Sequence, residues 1–202
     1  MRHWALIAHV YDWQLVLERP ALNAALDLLD PTESERLLDV ATGTGAVLRE
    51  LARRTRRPAE AVGVDLSSQM LARAAPVPTD WKLVQGDVAA LPFSDATFDV
   101  AAAAYVLHIL DDSTLARALA EIRRVLLPHG RLVTVTPAAP RSPLRRPYLA
   151  TVGALARVAP SALGLRPLDP SAALRRAGFE PVRRQYVASG YPSLCILARV
   201  AT

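Results

Sequence analysis

The sequence predicts an α/β protein built on a doubly wound sheet. Short apolar runs alternate along the chain with segments of helical spacing, a pattern that is typical of parallel strands joined by helices. A turn of small residues follows the first run, at 37–40, and the second and third runs each end in an acidic residue, Asp65 and Asp87. A length of 202 residues suits one domain with a full hydrophobic core.

The first apolar run carries an acidic residue, Asp39, and leads into a turn that contains Gly43 and Gly45. Helical spacing resumes directly after the turn. A strand, a glycine turn and a helix in this order bring the backbone close to a nucleotide-like ligand, because glycine has no Cβ to hold the ligand away. Leu48 stands where a dinucleotide fingerprint has its third glycine, and no lysine follows as a P-loop requires. The turn therefore argues against both of those sites.

The second and third runs place carboxylates at further strand ends. Asp65 follows the glycine turn at about the spacing at which an acidic side chain accepts hydrogen bonds from both hydroxyls of a ribose. A helix starts after it, with Ser67 or Ser68 as the N-cap. The third run, at 81–88, contains Gly-Asp at 86–87. A lone Gly-Asp pair usually indicates only a turn, but this one is in register with two other strand ends.

The glycine turn resembles motif I of the class I S-adenosylmethionine-dependent methyltransferases. The matching pattern is Asp39-x-Ala41-x-Gly43-x-Gly45. Ala41 replaces the first glycine of the family, which is similar to the quinone-biosynthesis C-methyltransferases (methyltransferase type 11 domain). The resemblance covers residues 35–200 and implies S-adenosyl-L-methionine as the cofactor. It also implies a Rossmann-like sheet of seven strands, mostly parallel, with the last strand antiparallel.

The resemblance further implies a role for each matched position. Leu66 and Met70 would flank the adenine ring, although Met70 also fits the core. Asp87 would accept a hydrogen bond from the adenine amino group, and the amide of Val88 would meet a ring nitrogen. The cofactor-binding residues expected from the resemblance are Tyr11, Asp39, Ala41, Gly43, Gly45, Asp65, Leu66, Met70, Asp87, Val88, Ala103 and Ala104.

Three of these positions concern the methionine end of the cofactor. Ala103 and Ala104 end the fourth apolar run, where small side chains let a ligand approach the backbone. Tyr11 would contact the methionine carboxylate, or pack with neighbouring tryptophans over the edge of the sheet. His108 is a candidate catalytic residue that could orient or deprotonate a substrate, since imidazole titrates near neutrality, or it could hydrogen-bond locally. No other catalytic residue is identified.

The remaining elements complete one methyltransferase domain. A helix from 112 to 127 has Asp112 or Ser113 as its cap, a strand follows at 131–136, and a later helix ends at Gly178 before two β runs. The expected organisation of residues 1–202 is an N-terminal helical cap at 1–34, a cofactor-binding core at 35–136, a substrate lid at 137–170, and a final helix and β-hairpin at 171–202.

Composition excludes several classes of site and location. The single cysteine, Cys195, rules out an internal disulfide and a cysteine-based metal site, and the four histidines do not fall at metal-ligand spacing. No metal is therefore expected. No apolar run reaches the ~18 residues of a membrane span, and the N-terminus lacks a secretory cleavage pattern. These features predict a cytoplasmic protein.

The net charge of +5 is distributed unevenly. Residues 141–184 contain nine arginines and only two acidic residues. Clustered arginine can bind nucleic acid, anionic lipid or a phosphorylated substrate, or it can form a solvated face. Aromatic residues do not alternate with the arginines, which weakens the case for single-stranded nucleic acid. The apolar positions of the lid suit a cover over an apolar substrate, a helix at a membrane interface, or a helix packed on its own core.

The predicted activity is methyl transfer from S-adenosylmethionine to a small-molecule acceptor, with a quinone-like or lipid-like acceptor as the leading hypothesis. Two alternatives stay open. The chain could bind the cofactor as a regulator without turnover, because no catalytic constellation is visible. It could also bind or modify nucleic acid through the arginine-rich C-terminal third.

Overall fold

The computed structural model describes residues 3–74, 76–141 and 166–201, with side chains described from residue 16 onwards. These residues form a seven-stranded sheet with helices on both faces. The strands are β1 (Arg36–Val40), β2 (Glu60–Asp65), β3 (Lys82–Gln85), β4 (Phe98–Ala104), β5 (Leu126–Pro137), β6 (Phe179–Val187) and β7 (Ser193–Val200). The helices are α1 (His3–Leu29), α2 (Ala46–Ala52), α3 (Ser68–Ala74), α4 (Asp112–Val125) and α5 (Ser171–Arg176), with a 3-10 turn at Leu107–Ile109.

The strands lie in the order β3-β2-β1-β4-β5-β7-β6. Strands β1 to β5 run parallel, and β7 lies between β5 and β6, antiparallel to both. The predicted sheet, mostly parallel with an antiparallel last strand, is confirmed. The chain moves outward from β1 to β3 and then returns to place β4 beside β1. Ligands bind at such a point of reversal, outside the carboxyl ends of the strands.

The core has two layers, one on each face of the sheet. Alternate residues of a strand point to opposite faces, so Leu38 packs with α4 and α5 while Leu37 packs with α1 and α2. Four of the five residues of β1 are buried. Burial on both faces explains why its sequence is a nearly continuous apolar run. Asp39 is the buried polar residue of this strand, and the burial of a carboxyl group needs a structural or functional reason.

Helix ends agree with the prediction at two sites and differ at a third. Ser67 caps α3, since its Oγ accepts from the Met70 amide at 3.3 Å. Gly178 follows α5 with φ of 80°, as the predicted glycine cap requires. The cap of α4, however, is Asp111 and not Asp112 or Ser113 as predicted, because the Asp111 carboxylate accepts from the Ser113 amide at 3.0 Å and from the Thr114 amide at 2.9 Å. Consecutive polar residues leave the cap position ambiguous in the sequence.

Helix α1 is anchored to the turn between β6 and β7. Pro20 lies within the helix and lacks the N–H that would bond to the preceding turn. One turn away, the Leu17 carbonyl accepts from the Tyr191 amide at 2.9 Å. Gly190, with φ of 68°, lies so close that a Cβ would sit 2.1 Å from that carbonyl oxygen. This contact fixes the second half of α1 over the sheet, and α1 forms most of the predicted N-terminal cap.

Much of the predicted lid, 142–165 within 137–170, lies outside the described residues. Its near ends are joined to the core. The Leu168 amide donates to the Pro137 carbonyl at 3.0 Å, and the Thr136 hydroxyl donates to the Leu168 carbonyl at 2.7 Å. Over the part of the chain that is described, no helix combines the length and the apolar character that crossing a bilayer requires.

Candidate functional site

The predicted site residues meet at one edge of the sheet. Strands β3, β2, β1 and β4 are neighbours and parallel, so the loops that follow their carboxyl ends lie side by side. Those ends carry Asp39, Ala41, Gly43, Gly45, Asp65, Leu66, Asp87, Val88, Ala103 and Ala104. Met70 lies on α3, which begins at this edge. The side chain of Tyr11 lies outside the described part of the structure.

The glycine turn needs its two glycines for different reasons. Gly43 has φ of 55° and open space where a Cβ would stand, its nearest atom being the Ala41 oxygen at 4.0 Å. Its backbone is therefore accessible to a ligand. Gly45, with φ of 78°, begins α2, and a Cβ there would sit 3.0 Å from the Cβ of Ala74. Gly45 thus lets α2 approach α3. Ala41 also has positive φ, 55°, which is the conformation that favours the glycine of the family pattern.

Asp65 joins the glycine turn to the start of α3. Its Oδ2 accepts from the Gly43 amide at 2.8 Å and its Oδ1 accepts from the Ser67 amide at 2.9 Å. Its backbone carbonyl accepts from the Gly86 amide at 3.0 Å, which ties β2 to the end of β3. An ionised carboxylate has about four acceptor positions, so two remain for a ligand after these bonds. The half-buried Asp65 is positioned before any ligand binds.

Asp39 lies beneath the turn with only 1% of its surface exposed. The Thr42 hydroxyl donates to its Oδ2 at 2.5 Å. Burial is the main cause that raises the pKa of Asp39 from 3.8 to about 7; the Thr42 hydrogen bond acts in the opposite direction and the charge of Asp65 adds to the increase. The Asp39 carboxyl therefore titrates near neutral pH, where its charge responds to any cation that enters the site.

A cavity of about 130 Å³ opens between α1, the glycine turn and the end of β4. Glu18, which is 9% exposed, and Asp39 both line it. No basic side chain lines this cavity within the described residues, so its walls favour a cation. Three larger hollows, of about 200, 420 and 550 Å³, are lined by none of the predicted site residues. The site is an open crevice in which only the inner end is enclosed.

Two residues of this cavity were missed in the sequence. Tyr105 follows Ala104 and has φ of 55°, and its hydroxyl lies 2.7 Å from the Ser193 Oγ. Burial raises the pKa of Tyr105 above its usual range, so it stays a neutral phenol. The position of Tyr105 directly after the end of β4 could have indicated a site residue in the sequence. Glu18 had no such signal, because only the packing of α1 brings it to the turn.

The outer end of the crevice lies beside β3. Leu66 is 67% exposed, which is high for a large apolar side chain and suits a ligand-covered surface. Met70 is half-buried and lies outside the core, contrary to the interpretation that it is a core residue. Asp87 is exposed, and its Oδ1 accepts from the Ala89 amide at 2.8 Å. The Gln85 side-chain amide donates to the Leu66 carbonyl at 3.0 Å, which holds these two loops together.

Two further residues have packing roles. His108 is buried in the 3-10 turn, and its ring meets the Tyr105 ring edge-on with centroids 6.3 Å apart. This contact fits a structural role for the ring, and both the local hydrogen bond and a role in proton transfer stay hypotheses. Cys195 is fully buried, and burial raises the pKa of its thiol to about 12. Within the described ranges, no group of three histidine, cysteine or acidic side chains could hold a metal ion.

Comparison with known proteins agrees with this geometry. A family model described as a methyltransferase domain matches residues 37–130. The ubiquinone/menaquinone biosynthesis C-methyltransferase UbiE of Dinoroseobacter shibae is 39% identical over 127 residues, which is 59% of this chain and 49% of that protein. The chain spans about half the length of the curated relatives it matches.

Solved structures share the fold over nearly the whole chain. A methyltransferase in complex with the Haloferax volcanii Trm112 methyltransferase activator superimposes with a TM-score of 0.77 at 19% identity, covering 98% of this chain and 95% of that one. The [4+2]-cyclase SpnF superimposes with a TM-score of 0.67 at 22% identity, covering 90% and 80%. The second example shows that this fold supports more than one reaction, so the function must be argued from the site.

Proposed function

We propose, from the premise that residues 37–130 are a methyltransferase domain, that this chain binds S-adenosylmethionine and transfers its methyl group to a small-molecule acceptor. The observation that carries the proposal is the bond between the Asp65 carboxylate and the Gly43 amide. It joins a half-buried glycine, beside which there is open space, to a carboxylate that can accept further hydrogen bonds, at the point where the strand order reverses. S-adenosylmethionine is a nucleoside attached to an amino acid. It therefore needs a hydrogen-bond acceptor for its ribose next to accessible backbone for its methionine part.

The adenosine half would lie toward β3. Asp65 would accept hydrogen bonds from the ribose hydroxyls, and Leu66 and Met70 would contact the faces of the adenine ring. Asp87 would accept from the adenine amino group while the Val88 amide donates to a ring nitrogen. The exposure of Leu66 and Asp87 supports these roles, because both side chains are accessible without rearrangement.

The methionine half would lie toward β4. Its ammonium group would enter the acidic cavity beside Glu18 and Asp39, while Gly43 and Ala104 offer backbone along its chain. Tyr11 remains a proposed partner for the methionine carboxylate. The bound sulfonium supplies an electrophilic methyl group, so the protein mainly has to align the acceptor and, for some acceptors, remove a proton. This requirement is consistent with the described part of the site, in which no nucleophile paired with a base is evident.

A quinone-like or lipid-like compound is the acceptor that we favour. The UbiE relative is named as a quinone-biosynthesis C-methyltransferase. The predicted lid is mostly apolar in sequence. Its ends attach near Pro137, at the carboxyl end of β5 and on the same edge of the sheet as the candidate site. His108 is the candidate for orienting or deprotonating this acceptor.

An apolar acceptor would be reached from a lipid surface, and we favour peripheral contact with anionic lipid over contact with nucleic acid. Arg175, Arg176 and Arg183 are exposed and make no ion pair within the described residues. The Arg141 guanidinium lies over the Tyr186 ring, 4.3 Å from its centroid. Among the described residues, this arginine therefore covers the aromatic ring beside the basic surface. Stacking platforms for bases are therefore lacking there.

Isothermal calorimetry with S-adenosylmethionine and with NAD tests the proposal. We expect binding of the first only. Changing Asp65 to Ala should weaken that binding by about 1–3 kcal/mol, because charge-assisted hydrogen bonds to the ribose are lost. Asp99→Ala is a matched control, since this carboxylate accepts from the Arg36 amide at the opposite end of the sheet. Binding of NAD without S-adenosylmethionine would contradict the proposal.

Turnover is tested separately with a labelled methyl donor and extracted metabolites. Transfer of label to an apolar small molecule is the expected result. Cofactor binding without transfer to any fraction would favour the alternative in which the chain is a regulator that senses S-adenosylmethionine.

A further inference from the structure

The loop that carries Asp87 is held by a helix on one face of the sheet. Glu121 lies on α4, and its Oε2 accepts from the Leu91 amide at 2.8 Å. Arg124, one turn later, donates to the Leu91 carbonyl at 3.1 Å and to the Phe93 carbonyl at 2.8 Å. The two side chains therefore hold both polar backbone groups of Leu91, a residue that is itself buried.

Glu121 and Arg124 bond to each other as well as to the loop. The Arg124 guanidinium makes a two-point contact with the Glu121 carboxylate. Its Nε donates to Oε1 at 2.8 Å, and its Nη2 donates to Oε2 at 2.7 Å. A further bond of 2.7 Å joins Arg124 to Asp95. The Arg124 backbone carbonyl also accepts from the Ala96 amide at 3.0 Å. A single exposed ion pair contributes little, but this network holds one rigid geometry for the segment 91–96.

The held segment lies directly against the base of Asp87. Pro92 packs on Gly86 so closely that a Cβ on Gly86 would sit 2.8 Å from the proline Cδ. The Ala90 amide donates back to the Asp87 carbonyl at 3.0 Å. Any movement of Leu91 and Pro92 is thus transmitted to the backbone of Asp87 and its neighbour Val88.

We infer that Glu121 and Arg124 are positioning residues for recognition of the adenine ring, acting through Leu91 and Pro92 on Asp87 and Val88. The inference rests on the proposed function, and neither side chain contacts the ligand. Adenine is distinguished from hypoxanthine by its amino group and its unprotonated ring nitrogen. A carboxylate and an amide N–H select for these features only while both are correctly placed.

The test measures selectivity between S-adenosylhomocysteine and S-inosylhomocysteine, in which the amino group is replaced by a carbonyl and the neighbouring ring nitrogen carries hydrogen. Calorimetry gives the ratio of the two dissociation constants for the wild type, Glu121→Gln and Arg124→Lys. Each variant keeps the size of its side chain but disrupts the two-point contact. We expect each to reduce the preference for the adenine compound about threefold to tenfold, the effect of one misplaced hydrogen bond.

Two further variants calibrate the result. Asp87→Ala removes the proposed acceptor and should abolish most of the preference. Arg117→Lys changes an exposed arginine on the same helix that contacts only Thr114, at 3.4 Å, among the described residues, and should keep the wild-type ratio. A loss of stability alone would weaken the binding of both compounds equally and leave the ratio of their dissociation constants unchanged.

The inference fails if Glu121→Gln and Arg124→Lys both fold and retain the wild-type ratio. A wild-type chain that binds neither compound overturns the proposed function and the inference with it. Wild-type binding with an unchanged ratio in both variants overturns the inference alone.

Discussion

At the scale of single residues, the buried carboxyl of Asp39 is the group whose charge is most dependent on its surroundings. It shares the acidic cavity with Glu18 and lies near Asp65, and within the described residues a neutral hydroxyl, that of Thr42, is the side chain that bonds to it. A carboxylate removed from water without a cation is unfavourable. An ammonium group bound beside Asp39 would favour the ionised form of this carboxyl.

The pH dependence of stability tests this description of Asp39. Its folded pKa of about 7 exceeds the ordinary value of 3.8, so the native state binds more protons than the unfolded state between these values. By linkage, the contribution to stability is complete below pH 3.8 and is lost as the pH rises through about 7. Asp39→Asn should lose this slope, which approaches about 1.4 kcal/mol per pH unit.

Urea unfolding of both proteins between about pH 5 and pH 8 gives the measurement. The free energy of unfolding of the wild type should fall relative to that of Asp39→Asn as the pH rises. Parallel curves for the two proteins would show that Asp39 keeps an ordinary pKa. Comparison with the variant removes the contributions of all other titrating groups.

At the scale of elements, α1 determines whether the inner end of the crevice is enclosed. The helix contributes Glu18 and Leu22 to the cavity, and its position depends on the contact of Leu17 with the turn at Gly190 and Tyr191. The turn belongs to the last hairpin of the chain, far from α1 in sequence. The C-terminal hairpin therefore supports the candidate site, through this contact and through the bond between Ser193 and Tyr105.

Gly190→Ala should separate α1 from this hairpin. The new Cβ would meet a backbone carbonyl at 2.1 Å in a conformation with φ of 68°, so either the bond to Tyr191 or the turn has to break. We expect a loss of about 2–4 kcal/mol in the free energy of unfolding, because strain and a lost buried hydrogen bond combine. Binding of S-adenosylmethionine should weaken as well.

Gly178→Ala is a matched control for this change. It has similar backbone strain, with φ of 80°, but its Cβ would meet the Arg123 side chain, which can move. The cost should be about 1 kcal/mol, measured by the same urea titration. Equal losses for the two variants would contradict a specific role for the contact at Leu17.

At the scale of the whole molecule, charge is separated from the candidate site. The cavity of the candidate site is lined by acidic and neutral groups, whereas a group of exposed arginines lies on α5 and β6 at one edge of the sheet. Arg184 is paired with Asp169 at 2.6 Å, and Arg175 and Arg183 are available to a partner. A basic edge of this kind attracts an anionic surface over about a Debye length.

Co-sedimentation with vesicles tests this basic edge. The wild type should bind vesicles that contain phosphatidylglycerol and not those of phosphatidylcholine alone. The double variant Arg175→Ala with Arg183→Ala should weaken binding roughly 20-fold to 30-fold, from about 1 kcal/mol for each arginine. Arg56→Ala with Arg117→Ala makes the same change in net charge elsewhere and should have a smaller effect.

Binding that is equal for both double variants would indicate a response to net charge only. Steeply salt-dependent binding to RNA, lost with Arg175 and Arg183 and accompanied by no binding to vesicles, would favour the nucleic-acid alternative.

The sequence by itself determined the local units of this protein. A strand that ends in a glycine turn, a second that ends in Asp65 and a third that ends before Asp87 are each readable within a few residues, because strand period and turn chemistry are local properties. Parallel strands then imply that their ends meet. The class of fold and the edge of the sheet that carries the candidate site followed from these units.

Only the tertiary structure decided which distant side chains join the site. Glu18 reaches the glycine turn through the packing of α1, Tyr105 is set by a strained strand end, and Arg124 holds a loop some thirty positions earlier. The proximity of Asp39 to Asp65, and with it the raised pKa, has the same origin. Such contacts depend on burial and on the relative placement of whole elements, which the spacing of residues along one chain does not encode.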